Sequence, residues 1–222
     1  MAERICALCG APARPPYRAP PAELAPDLDG RPGEPARSTM RFWIQTCGQC
    51  GASAPDLAAL PAGAQAVIDS PGYARLRGTA VVDAFLRWAA IARGCGQMDD
   101  AAEVTLQAAW VQDDAGQTEL AADLRLATIE NWGPPTGKRA TLRQADVLRR
   151  AGAFDEADAL LRQLHAADEA TSAVLTYQRA LVAAQDRGRH SIATALRPPA
   201  RRPHASHGVV TEKKGFWARL RG

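Results

Sequence analysis

From Val82 onward, apolar residues recur at helical spacing. Val82, Phe85, Leu86 and Ala89 fall at i, i+3, i+4 and i+7, which lines one face of an α-helix. Trp88 and Ile91 widen that face, so this helix is predicted to pack on two sides. Ser70-Pro71 ahead of it reads as a helix start, with Ser as N-cap and Pro in the first turn. Val174, Tyr177 and Leu181 predict a further helix, roughly Glu169 to Arg187. Asn131-Trp132-Gly133-Pro134-Pro135 is a stop signal between helices.

A second pattern overlies the first. Gly, one residue, a large residue, two residues and Ala recur as Gly96-Gln97-Met98-Asp99-Asp100-Ala101 and Gly152-Ala153-Phe154-Asp155-Glu156-Ala157. Weaker copies begin at Gly116 and Gly188. The copies at 116, 152 and 188 are evenly spaced, at an interval close to the period of tetratricopeptide (TPR) units. The best copy runs from Thr141 to Leu164. Gly152 makes its turn, Phe154 wedges between two helices, and Ala145, Leu148, Ala157 and Leu161 face each other. The expected fold is mainly α: a TPR-like helical hairpin array carrying a small N-terminal β zinc ribbon.

Composition fits that class. Hydrophobic residues make up 46% of the 222 residues but aromatics only 5%. Much of the apolar content is alanine, which favours helix and lets helices approach closely. The net charge of +3 hides an asymmetry. From Arg187 onward basic residues stand against the single acid Glu212, so the preceding body is net negative. Only the tail offers a broad attraction to anionic partners. A signal-peptide core and a membrane span are both missing from the pattern, since the apolar run Ala80 to Ala92 is short and broken by Asp83 and Arg87. A cytoplasmic protein is expected.

Five cysteines are present. Four form two Cys-x-x-Cys turns, Cys6/Cys9 and Cys47/Cys50, each followed by glycine. A short strand delivers the first thiolate, the turn aims backbone N–H groups at sulfur, and the glycine permits positive φ. Two such turns supply four sulfurs to one structural Zn²⁺. Four thiolates leave no open position for a catalytic water. A thiol switch that releases zinc on oxidation is the alternative chemistry. Half of the 16 prolines lie between Pro12 and Pro35, which stiffens the long connection between the turns. Cys95 stands alone and is expected to be unreactive.

That connection carries Pro26-Asp27-Leu28-Asp29-Gly30-Arg31-Pro32, then Arg37-Ser38-Thr39 and Trp43-Ile44-Gln45. With Cys47-Gly48-Gln49-Cys50-Gly51 and Ala108-Ala109-Trp110, these residues resemble an uncharacterised bacterial family that joins a Cys-x-x-Cys zinc ribbon to TPR-like helices. The resemblance covers most of residues 1 to 170. The family usually has proline where this chain has Gly48. It implies fold and metal, and brings no activity. Asp27, Asp29, Arg31 and Arg37 are expected to pair with one another and hold the loop on the ribbon, in preference to binding a ligand.

No catalytic constellation stands out. His165, His190, His204 and His207 form no HExxH and no visible triad, and Gly94-x-Gly96 is no phosphate loop. The organisation expected is a four-cysteine module over 1–60, helices over 61–197 and a basic tail over 198–222. Near the end of the tail, Lys213, Lys214, Phe216, Trp217, Arg219 and Leu220 have the composition of a weak membrane-surface or partner-docking segment. The function expected is a non-catalytic scaffold for an unknown protein partner. A nucleic-acid-binding zinc ribbon and a thiol or zinc redox sensor are the alternatives.

Overall fold

The computed structural model describes residues 4–76, 78–165 and 168–196. Two hairpin tips occupy the N-terminal part. An isolated bridge, Ile5 to Pro12, flanks the first cysteine turn. Strands β1 (Gln45–Thr46) and β2 (Ser53–Ala54) pair antiparallel around the second, with Gln45 opposite Ala54. A 3₁₀ helix, Arg37–Phe42, leads into β1. Helices follow: α1 (Ala64–Ile68), α2 (Pro71–Ala74), α3 (Val81–Gly94), α4 (Met98–Asp114), α5 (Thr118–Trp132), α6 (Lys138–Ala151), α7 (Phe154–Arg162), α8 (Glu169–Ala183) and α9 (Ile192–Ala195). The protein is mainly helical with a small two-stranded sheet. No described helix is long and apolar enough to cross a membrane.

The Gly-x-large-x-x-Ala pattern has one structural meaning at three of its four sites. Gly96, Gly116 and Gly152 have φ of +78°, +72° and +86°. Each closes a helix with the same pair of bonds. The glycine N–H reaches back three residues, and the next N–H reaches back five, as in Gly152 to Arg149 and Ala153 to Leu148. The left-handed residue satisfies carbonyls that the ending helix leaves free. The next helix starts at once, and its Ala101, Ala121 or Ala157 is fully buried at the crossing. The absence of a larger side chain there lets the paired helices touch.

The fourth copy departs from this. Gly188 lies outside the left-handed region, and the turn ending α8 is centred on Gln185, with φ of +52°. Asp186 N–H reaches Leu181 and Gln185 N–H reaches Val182. The pattern at 188 therefore marks no hairpin turn. Ser70-Pro71 starts only the single turn α2, with Ser70 Oγ accepting from Tyr73 N–H at 3.2 Å. The long helix begins separately at Val81, where Asp83 accepts from the Ala80 N–H at 2.9 Å. Helix α8 ends at Ala183, short of Arg187.

Three apolar clusters form the core. The central one joins Phe85 of α3, Leu106 and Trp110 of α4 and Val147 of α6, with Met40 and Ile44 packing in from the loop. A second lies under the cysteine turns and contains Leu57, Ile68, Tyr73 and Ile91. The third holds α6, α7 and α8 together through Leu148, Leu161 and Leu175.

Candidate metal centre

Each cysteine turn is built on the same frame. Cys6 N–H donates to Ala11 O at 2.7 Å, and Gly10 N–H returns to Cys6 O at 2.9 Å. Cys47 N–H donates to Ala52 O at 2.8 Å, and Gly51 N–H returns to Cys47 O at 3.0 Å. Gly10 and Gly51 have φ of +71° and +75°, the positive values their position predicted. The two turns face each other. Cys6 Sγ lies 3.8 Å from Cys50 Sγ, and Cys9 Sγ lies 3.5 Å from Cys47 Sγ. All four sulfurs lie within 4.8 Å of one another, and all are free thiols. Bonds of about 2.3 Å to a tetrahedral ion place sulfurs about 3.8 Å apart. The four cysteines could hold a metal ion.

The crowded thiols ionise unequally. At Cys47 burial raises the pKa, but backbone N–H groups of Cys50 and Gln49 and the Cys9 sulfur outweigh it and bring it to about 7. At Cys50 burial, together with the neighbouring sulfurs, pushes the thiol up to about 12 against the Ala52 N–H. Crowded thiolates need a compensating cation, which a metal ion supplies.

Second-layer contacts fix the second turn. Tyr73 Oη donates to Gly51 O at 2.9 Å. Arg87 Nη2 donates to Thr46 Oγ1 at 3.3 Å, while its Nη1 reaches Gly78 O at 3.3 Å. Ala7 N–H donates to Leu57 O at 2.9 Å and ties the first turn to the same base. Sequence reasoning did not single out Tyr73 or Arg87. Arg87 showed only as a charge that interrupts the apolar run Ala80 to Ala92, and Tyr73 only as an aromatic just after Ser70-Pro71.

The charged residues of the long loop sit elsewhere than expected. They do not hold the loop on the ribbon; they plug it into the helices. Asp29 is fully buried. Its Oδ2 accepts from Trp110 Nε1 at 2.9 Å and from Arg150 Nη1 at 2.7 Å, with Arg125 Nη2 at 3.5 Å. Its Oδ1 accepts from Arg31 N–H at 3.1 Å. Asp113 closes the square, accepting from Arg125 Nη2 at 2.5 Å and Arg150 Nη2 at 2.6 Å. Two carboxylates face two guanidiniums. Burial raises the Asp29 pKa, but Arg150 and Arg125 hold it below the ordinary range. Arg31 is also buried and pairs with Asp114, which Arg37 approaches at 3.4 Å. Asp27 faces Arg189 at 3.7 Å, and burial raises its pKa. The physical reason is supply: the cysteine turns have few charges of their own, while α4, α5 and α6 present Asp113, Asp114, Arg125 and Arg150.

Cys95 lies beside Gly63, outside the four-sulfur group. His165 is exposed. His190 is engaged: its Nδ1 meets Tyr177 Oη at 2.9 Å and its Nε2 meets Asp186 Oδ2 at 3.0 Å. His204, His207, Lys213, Lys214, Phe216, Trp217, Arg219 and Leu220 lie outside the described residues. Compared with known proteins, the chain matches no family model, no curated protein and no solved structure.

Proposed function

We propose that the chain is a non-catalytic scaffold, in which a structural zinc ribbon steadies a TPR-like helical array that docks a protein partner. The observation that carries this reading is an open groove of about 990 Å³. It runs between the loop at Pro26–Gly30, the start of α6 and the face of α8. Leu28, Leu142, Val174 and Ile192 supply apolar lining, and Lys138, Arg139, Asp99 and Glu103 bring charges of both signs. A concave surface that mixes apolar and charged side chains suits a segment of another protein. Zinc is favoured among metals because the donor set is four thiolates in tetrahedral reach. The ion's role would be structural, holding the N-terminal turns against α1, α2 and α3.

A photocrosslinking residue placed at Val174 in the groove, and separately at exposed Leu120 on α5, tests the scaffold reading in source cells. One protein adduct, seen from position 174 and lacking from 120, is expected. Adducts at background level from both positions would reject it.

A further inference from the structure

The loop between the cysteine turns mixes arginines with acids in sequence, and the fold sorts them. Arg31 and Arg37 go to Asp114. Asp29 is sealed against Arg125 and Arg150, Asp27 faces Arg189, and Glu34 is held by Ser38 and Arg37. Arg14, Arg18 and Arg41 remain. All three are exposed and have no ion-pair partner among the described residues. Glu23 is the one acid of this loop with no ion pair among the described residues.

Two aromatic rings stand among these arginines. Tyr17 and Phe42 are 41% and 43% exposed. Their centroids are 5.4 Å apart with the planes tilted by 37°. The Arg41 guanidinium sits 4.7 Å above the Phe42 ring. The backbone three residues before Tyr17 is anchored on β1. Arg14 N–H donates to Gln45 Oε1 at 3.2 Å, and Gln45 Nε2 donates to Arg14 O at 3.1 Å and Pro55 O at 3.0 Å. Gln45 belongs to β1, which leads directly into Cys47. The segment that carries Tyr17 is thus tied, through the Arg14 backbone, to the strand that leads into the second cysteine turn.

We propose that the Tyr17–Phe42 pair, with Arg41 over the Phe42 ring and the exposed Arg14 and Arg18 flanking Tyr17 along the chain, is a docking surface for single-stranded nucleic acid. Unpaired bases have two apolar faces that stack on exposed rings, and the backbone between them carries one negative charge per nucleotide. Arginine serves both needs, since its planar cation stacks and also binds phosphate. A duplex hides its base faces and offers the rings nothing. The surface is distinct from the groove and does not depend on the scaffold reading.

The test is fluorescence anisotropy of the full chain with fluorescein-labelled oligothymidylate and with a duplex of the same length. The single strand is expected to bind more tightly than the duplex. Tyr17→Ala with Phe42→Ala should weaken it at least tenfold. Arg14→Gln, Arg18→Gln and Arg41→Gln together should reduce the slope of log affinity against log salt by about 2, at roughly 0.7 per phosphate contact. All five side chains are exposed, so metal content and circular dichroism should stay unchanged. A variant with Lys213, Lys214, Arg219 and Arg221 changed to Gln should keep the difference between strand types. Undetectable binding, equal binding of the duplex, or binding indifferent to the ring and arginine substitutions would each overturn the proposal. The last result would assign the attraction to the basic tail. Binding to anionic phospholipid vesicles in place of the oligonucleotide would overturn it also.

Discussion

Asp29 and Trp110 meet at 2.9 Å in the interior, indole N–H to carboxylate. One belongs to the loop between the cysteine turns, the other to the C-terminal part of α4. The same carboxylate holds Arg150 of α6 and faces Arg125 of α5. One buried side chain thus ties the loop between the cysteine turns to three helices. Buried ion pairs are costly to form and costlier to break, because removing one partner strands the others without water.

Asp29→Asn should therefore destabilise the protein by about 3–5 kcal/mol. Trp110→Phe removes one bond to a charged acceptor and should cost about 1.5–3 kcal/mol. In a double-mutant cycle read by urea unfolding, the two losses should be less than additive. Additive losses would mean that the two side chains act independently.

Metal removal should separate the N-terminal module from the helices. Protein purified without added zinc is expected to carry one zinc per chain by elemental analysis. Cys47→Ser with Cys50→Ser should abolish it. Cobalt substitution should give thiolate charge-transfer bands and tetrahedral d–d bands. Because the apolar clusters that join α3 to α8 contain none of the four cysteines, chelation should lower the melting temperature while most helical dichroism persists at room temperature. Metal-free protein with unchanged stability would remove the structural role.

Tyr73→Phe deletes only the hydroxyl that donates to Gly51 O. The expected cost is about 1 kcal/mol. Release of the metal to a chromophoric chelator should quicken, since the second cysteine turn loses its brace. An unchanged release rate would show that the turn is held by its backbone bonds alone.

Asp146 and Asp29 should pull the pH dependence of stability in opposite directions. Asp146 is fully buried, Arg149 takes its Oδ1 at 2.8 Å, and its Oδ2 has no partner among the described residues. Burial, opposed by Arg149 and aided by nearby Asp29, pushes its pKa up to about 6. A group raised on folding holds its proton in the native state while the unfolded chain has lost it. Its contribution is thus greatest below about pH 4 and is lost as pH rises to about 6. Asp29, held low, contributes above about pH 4 and loses that contribution as pH falls through its folded value. The difference between wild type and Asp146→Asn, measured by urea unfolding at several pH values, should change between pH 4 and 6 and be flat above. A difference constant across that window would refute the raised value.

Gly116 and Gln185 occupy equivalent left-handed positions at the ends of α4 and α8. A Cβ at Gly116 would touch nothing within 4 Å, so Gly116→Ala isolates the backbone effect. It should cost about 1–2 kcal/mol. Gln185→Gly should instead gain roughly 0.5–1 kcal/mol, the left-handed penalty less the added freedom of the unfolded chain. Thermal unfolding of the two variants should shift in opposite directions.

The sequence by itself determined the local rules. Two Cys-x-x-Cys-Gly turns could fold in few other ways, because cysteine spacing and a positive-φ glycine are both short-range constraints. Gly96, Gly116 and Gly152 dictated hairpin turns for the same reason, and the apolar face from Val82 to Ile91 dictated a buried helix. At Gly188 the letters repeated and the turn did not, since the chain had already turned at Gln185. Tertiary structure alone decided the partners of the charged residues. Asp29, Arg125 and Arg150 are far apart in sequence, and hydropathy cannot tell a solvated arginine from one sealed against a carboxylate. It decided also which arginines of the loop stay exposed and that Tyr17 and Phe42 stand together. Those outcomes depend on long-range packing, where a side chain's role is set by what the rest of the chain brings to it.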